Sequence, residues 1–175
     1  MKKMALMVTA GVLAACQTTG PSTSQKTDSQ GEEQIIVTAG SRDSLLLLQH
    51  AIALLGDVDS LPMKWWLEEP TYPPIRQVIP SSAEAGLLLI DESGPCLSDT
   101  EHASNVAVVT PNRQYPLGMS ISAARRQQWL QALQNGSPSW WLIEDDYDNE
   151  FVYQGRSSVP FMQTASVHSQ TRDRV

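Results

Sequence analysis

Three short stretches of this sequence set polar side chains or small residues directly after an apolar run, and each is a place where a ligand could be handled. The richest is Glu144-Asp145-Asp146-Tyr147-Asp148, which follows Trp140-Trp141-Leu142-Ile143. Its carboxylates admit three chemistries. They can form a solvated strand end with no ligand. They can offer oxygen ligands to a hard cation, although the Gly turn and distal Glu of a calcium loop are missing. Or one carboxylate at a strand terminus can keep a heterocyclic nitrogen protonated, with Tyr147 donating a hydrogen bond to an oxygen on the same ring. The second stretch, Thr38-Ala39-Gly40-Ser41, follows Ile35-Ile36-Val37. It suits either tight packing or an anion cup, because Gly lets the backbone approach a ligand and the unpaired amides of a following helix start attract negative charge. The third is Thr110-Pro111-Asn112, after Val106-Ala107-Val108-Val109.

The hydrophobic pattern predicts the elements that carry these stretches. Ile35 to Val37 reads as a short buried strand, and SRDSLLLLQHAIALLG as a buried helix ending at Gly56. Trp66-Leu67 reads as a strand stub. Glu69 through Pro74 reads as loop, since proline excludes both helix interior and ladder, and residues 75 to 80 open a short helix cut off by Pro80. Ala85 to Ile90 and Val106 to Thr110 read as strands. Ser120 to Asn135 carries the clearest helix signal, with Ser122 as cap and Asn135-Gly136 as stop. Trp140 to Ile143 is again a strand. Strands alternating with helices predict an α/β fold with a mainly parallel sheet and helices on both faces, in which ligands bind beyond the carboxyl ends of the strands. All three polar stretches fall at such ends.

Composition narrows the partners. The chain has 175 residues, 41% of them apolar, and a formal net charge of -7, with a pI near 4.8. Twelve basic residues against nineteen acidic ones leave no basic face for phosphate backbones, so nucleic acid is not expected as a partner. The first sixteen residues read as a separate unit, with Lys2 and Lys3 before an uncharged stretch from Met4 to Ala15. That stretch is too short to span a bilayer, which needs about 20 apolar residues, but it has the form of a signal h-region. Leu13-Ala14-Ala15-Cys16 resembles the lipobox of bacterial lipoproteins, so Cys16 is the expected lipidation site and a lipid anchor the expected tie to a cell membrane. Without a functional leader the chain would be cytoplasmic. Residues 17 to 33 contain no aliphatic or aromatic side chain and read as a disordered tether, leaving 34 to 175 as the folded part. Cys96 then reads as a small loop hydrophobe.

VTAGSRDSLLLL, EEPTYPPIR, VVTPNRQYPLGMSISAARR and WWLIEDDYDNEFVYQGR together resemble the aminotransferase-like domain of MocR-type regulators, a GntR subgroup whose C-terminal domain is similar to fold-type I pyridoxal phosphate enzymes. The resemblance implies an incomplete large domain of that fold, with pyridoxal phosphate as cofactor. By position it implies that Asp145 faces the pyridine nitrogen and Tyr147 the 3-hydroxyl, the remaining acids of the cluster being mostly solvated. It implies that Tyr72 stacks on the ring and that Gly40, Ser41 and Arg42 line a phosphate cup, although the family usually has Gln where Arg42 stands. Tyr115-Pro116-Leu117-Gly118 occupies the place of the Asn-Pro-x-Gly turn of catalytic relatives, so Asn112 is not that asparagine. Trp65 and Trp66 lie in what looks like an insertion, with packing as their expected role.

The departures carry expectations too. In the family a lysine that links covalently to the cofactor follows the aspartate by some thirty residues, whereas the lysines here are Lys2, Lys3, Lys26 and Lys64. No catalytic residue and no transaminase activity are therefore expected, and the spacing of the acidic cluster gives no reason to expect a metal. The small C-terminal domain and the winged helix-turn-helix of the family have no counterpart in the sequence. A sheet lacking its later strands predicts reliance on a second copy or another stabilising partner. The competing reading is a membrane-anchored lipoprotein whose folded part serves binding or structure.

Overall fold

Alternation along two central strands decides where the helices lie. In a computed structural model of the chain, described over residues 5–9, 12–16, 35–55, 63–81, 83–135, 138–148 and 159–161, these are β4 (Lys64–Glu69) and β7 (Ser104–Val109). Trp65, Leu67, Val106 and Val108 point to one face, where α1 (Ser41–Leu55) lays down Leu45, Leu48 and Ile52. Trp66, Ala107 and Val109 point to the other, where α3 (Ala123–Asn135) brings Trp129, Leu130 and Leu133. Successive strand residues face opposite sides, so a sheet buried on both faces reads as a continuous apolar run. This is the expected α/β arrangement, with a helix on each face.

The remaining elements are β1 (Ala5–Thr9), β2 (Val12–Cys16), β3 (Ile35–Val37), α2 (Pro73–Arg76), β5 (Glu84–Asp91), β6 (Gly94–Pro95) and β8 (Ser139–Asp145). The sheet order is β3-β2-β1-β8-β7-β4-β5-β6. From β1 to β5 neighbours run parallel, while β2, β3 and β6 are antiparallel to theirs. Two of the eight strands thus come from the stretch that reads as a leader. The expected tether at 17 to 33, the helix stops at Gly56 and Gly136, and the tail beyond Phe161 lie outside the described residues.

Several boundaries differ from the expected ones for local reasons. β4 extends well past the Trp66-Leu67 stub, because parallel pairing to β5 holds Lys64 and the two glutamates in the ladder while β7 pairs with Lys64 to Leu67. The short helix forms at 73 to 76 instead of 75 to 80: Pro73 and Pro74 occupy its first positions, where a missing N–H costs nothing. β6 spans two residues, too few for any periodicity. Ser122 caps α3 as expected, its hydroxyl accepting the Arg125 amide at 3.1 Å. The two tryptophans of β4 pack as expected, one to each core, and the Trp66 indole N–H donates to the buried Asn105 side chain at 2.9 Å.

Candidate functional site

The site grows from two strand ends. β3 runs into the turn at 38 to 40, which α1 follows at once. Gly40 sits there at φ 137°, a conformation that side-chain-bearing residues rarely adopt, while a Cβ at that position would meet open space. The turn is fixed by its own hydroxyls: Thr38 Oγ1 and the buried Ser44 hydroxyl lie 2.6 Å apart, and the Ser44 amide donates to the Gly40 carbonyl at 3.0 Å. Asp43 accepts the Ala39 amide at 3.3 Å. β8 ends at Asp145, whose carboxylate accepts the Ser41 hydroxyl at 3.2 Å. That one bond joins residues 104 positions apart in the chain.

All six residues expected to hold a ligand line one cavity of about 650 Å³: Gly40, Ser41, Arg42, Tyr72, Asp145 and Tyr147, with Ala39, Asp43, Thr110 and Tyr115 completing the wall. The volume suits a small-molecule ligand. Tyr72 and Tyr115 meet edge to face with ring centroids 5.5 Å apart, giving a half-exposed aromatic corner. Arg42 and Asp43 are both exposed on the rim.

The expectation that the other acids of the cluster are mostly solvated is not met. Glu144 and Asp146 are as buried as Asp145, at 0% and 2% exposure. Alternation turns Glu144 to the face opposite Asp145, where it accepts the Phe161 amide at 3.0 Å. Arg126 covers the same face: its guanidinium stands 4.2 Å over the Phe161 ring, donates to the Val159 carbonyl and feels the charges of Glu144 and Asp146. Asp148 pairs with Arg113 at 2.7 Å. Among the described residues no group of three His, Cys, Asp or Glu is placed to hold a metal ion.

Sequence reading passed over a buried polar knot behind the cavity. Glu68, 1% exposed, accepts the Thr110 amide at 3.0 Å, the Thr110 hydroxyl at 2.5 Å and the Gln114 side-chain amide at 3.1 Å. Gln114 also donates to the Pro70 and Tyr115 carbonyls, both at 2.7 Å, and accepts the Leu117 amide. The knot ties the loop bearing Tyr72 to the loop bearing Tyr115. Its only signal in the sequence is a glutamate inside a buried run, since the partners lie more than forty residues away.

Burial dominates the electrostatics. It pushes the Asp145 carboxyl up to about 6; the Ser41 bond pulls the other way, and the nearby charges of Glu68 and Asp146 add to the rise. Glu68 is raised by its own burial, against the opposing bonds from Thr110 and Gln114. The Tyr147 hydroxyl is raised by burial and by Asp148, with Arg113 opposing. A buried carboxyl that titrates near neutrality can grip a cationic or N–H-bearing ring nitrogen. The α1 start with Arg42 can receive an anion, and the aromatic corner of Tyr72 and Tyr115 offers a surface against which a flat ring can pack.

The fold is that of the aminotransferases. The structure superimposes on a kynurenine aminotransferase from Pyrococcus horikoshii with a TM-score of 0.55 and 21% identity, covering 71% of this chain and 31% of that one. It also superimposes on the aminotransferase AspB of Helicobacter pylori with a TM-score of 0.55 and 16% identity, covering 75% and 34%. In sequence the chain is 37% identical over 137 residues to the HTH-type pyridoxine biosynthesis transcriptional regulator PdxR of Corynebacterium glutamicum, a match spanning 76% of this chain and 28% of the regulator. It is 34% identical over 134 residues to the probable rhizopine catabolism regulatory protein MocR of Rhizobium meliloti, spanning 75% and 25%. The chain is therefore a homologue of the aminotransferase-like segment of MocR/PdxR-type GntR regulators, and it spans about a quarter of the length of these relatives. No protein-family profile matches it.

Proposed function

We propose that the chain is a pyridoxal phosphate-binding domain of aminotransferase type that holds the cofactor without a covalent lysine link and does not transaminate by itself. The observation that carries this reading is Asp145: a buried carboxyl at the end of β8, bonded to Ser41 in the wall of a cavity that also holds Gly40, Arg42, Tyr72 and Tyr147. The donor set fits the group. Asp145 would keep the pyridine nitrogen protonated, Tyr147 would hold the 3-hydroxyl, the Tyr72 ring would cover the pyridine, and the Gly40-Ser41-Arg42 turn at the start of α1 would take the phosphate. When bound, the cofactor supplies an electron-withdrawing ring; the protein's part is to orient it and exclude water from one face.

Lys64 supports the non-covalent half of the proposal. It opens β4, and the five rises of about 3.3 Å to Glu69 set it about 16 Å from the carboxyl ends where the cavity lies. There its ammonium pairs with Glu84 at 2.7 Å and sits 4.6 Å from the Trp66 ring centroid. The other three lysines of the sequence, Lys2, Lys3 and Lys26, are outside the described residues.

The test is equilibrium dialysis of the full chain against pyridoxal phosphate, followed by borohydride. Asp145→Ala is expected to weaken binding by roughly 10- to 100-fold, the worth of a hydrogen bond to a charged group. The cofactor should stay separable from the protein after reduction. Equal affinity in both proteins defeats the Asp145 grip, and stoichiometric fixation by borohydride defeats the absence of a lysine link.

A further inference from the structure

The two walls of the cavity stand on strands that do not touch. β8 delivers Asp145 and β3 delivers the turn at 38 to 42, yet in the sheet they are separated by two strand positions, both filled by residues 5 to 16. β1 runs parallel to β8 with Met7 opposite Glu144 and Val8 opposite Asp145. β2 returns antiparallel in five matched pairs, from Ala5 with Cys16 to Thr9 with Val12. β3 then pairs antiparallel to β2, Val12 with Val37, Leu13 with Ile36 and Ala14 with Ile35. Three strand spacings of about 4.8 Å put β3 about 14 Å from β8, and the Ser41–Asp145 bond closes the same gap from above. A three-residue strand has too few ladder bonds to stand without a neighbour. Remove β1 and β2, and β3 loses its pairing while β8 becomes an open edge.

We propose that β1 and β2, residues 5–9 and 12–16, are structural strands of the domain, the link that joins β3 to β8 and so sets the distance between the ligand turn and Asp145. The proposal does not rest on the identity of the ligand. It makes two fates of this stretch exclusive. Hydrolysis of the Ala15–Cys16 bond, as lipoprotein maturation requires, would remove all of β1 and four of the five residues of β2. A chain folded in this way holds Cys16 in the ladder opposite Ala5, withdrawn from a peptidase that needs an extended, accessible substrate.

Hydrogen exchange of the purified full chain, read by mass spectrometry, tests this. Peptides covering 5–9 and 12–16 should exchange at least about a hundredfold more slowly than an unstructured chain, in step with 35–37 and 139–145. Exchange of 5–16 at the unstructured rate while 139–145 stays protected overturns the proposal. Leu13→Pro removes a donor from the middle of β2. It should release 35–37 and 139–145 together while leaving 123–135 protected. If those two strands stay protected in the variant, β1 and β2 are not the link and the proposal fails. Should the variant not fold, the wild-type exchange map decides alone.

Discussion

Replacing Asp145 with Asn keeps an acceptor for the Ser41 hydroxyl and removes the charge that burial disfavours. In the folded chain this carboxyl moves from 3.8 to about 6. An acid whose pKa folding raises binds its proton more tightly in the folded state. Its contribution therefore favours folding below about pH 4 and is lost as the pH rises through about 6. Two units correspond to about 3 kcal/mol once both states are ionised. The Asn variant should thus match the wild type near pH 4 and exceed it at pH 7.5 by up to about 3 kcal/mol, or roughly 6–12 °C in Tm for a chain of this size. Urea titrations of both proteins at pH 4, 5, 6 and 7.5 give the difference directly, because other carboxyls, Glu68 included, are shared by the pair and largely cancel. A difference that does not change with pH refutes the argument, and so does a wild type that is the more stable protein at pH 7.5. If the proposed cofactor role holds, the same substitution weakens pyridoxal phosphate binding, so stability and affinity move in opposite directions at this candidate site.

Gly40→Ala should cost about 1–3 kcal/mol in denaturant unfolding, for the backbone alone, since φ is 137° while the space for a Cβ is open. Gly86→Ala reverses that logic: its Cβ would stand 2.6 Å from two carbons of the Trp66 ring, so about 1–3 kcal/mol should be lost with a change in the tryptophan near-UV signal. Glu68→Ala removes the buried acceptor of the Thr110 amide and hydroxyl, while the Gln114 side chain keeps the Pro70 and Tyr115 carbonyls. It should cost at least about 2 kcal/mol and, by removing a neighbouring negative charge, bring the Asp145 titration to lower pH in carboxyl-resolved NMR. Ser122→Ala should remove about 1 kcal/mol by uncapping α3, measurable as a lower urea midpoint with an unchanged slope.

Local pattern alone was enough to mark β3, β5, β7, β8, α1 and α3, because each shows an apolar run or a cap signal within one element. The stretches that supply the cavity wall were legible for the same reason, since Gly40-Ser41 and Asp145-Tyr147 follow apolar runs, whereas the choice of Asp145 within its cluster, and of Tyr72 and Arg42, came from the family resemblance. Tertiary structure decided what depends on distant partners. Glu144 and Asp146 look like surface acids in sequence, and Arg126 and the backbone at Phe161, brought from other segments, help them to be buried. Glu68 owes its role to Thr110 and Gln114, more than forty positions away. Residues 5 to 16 are the sharpest case. Hydropathy and flanking lysines read there as a targeting signal, with no strand pattern marked. The ladders to β8 and β3 are what the proposal for β1 and β2 rests on, and register between strands far apart in the chain is not written in any local window.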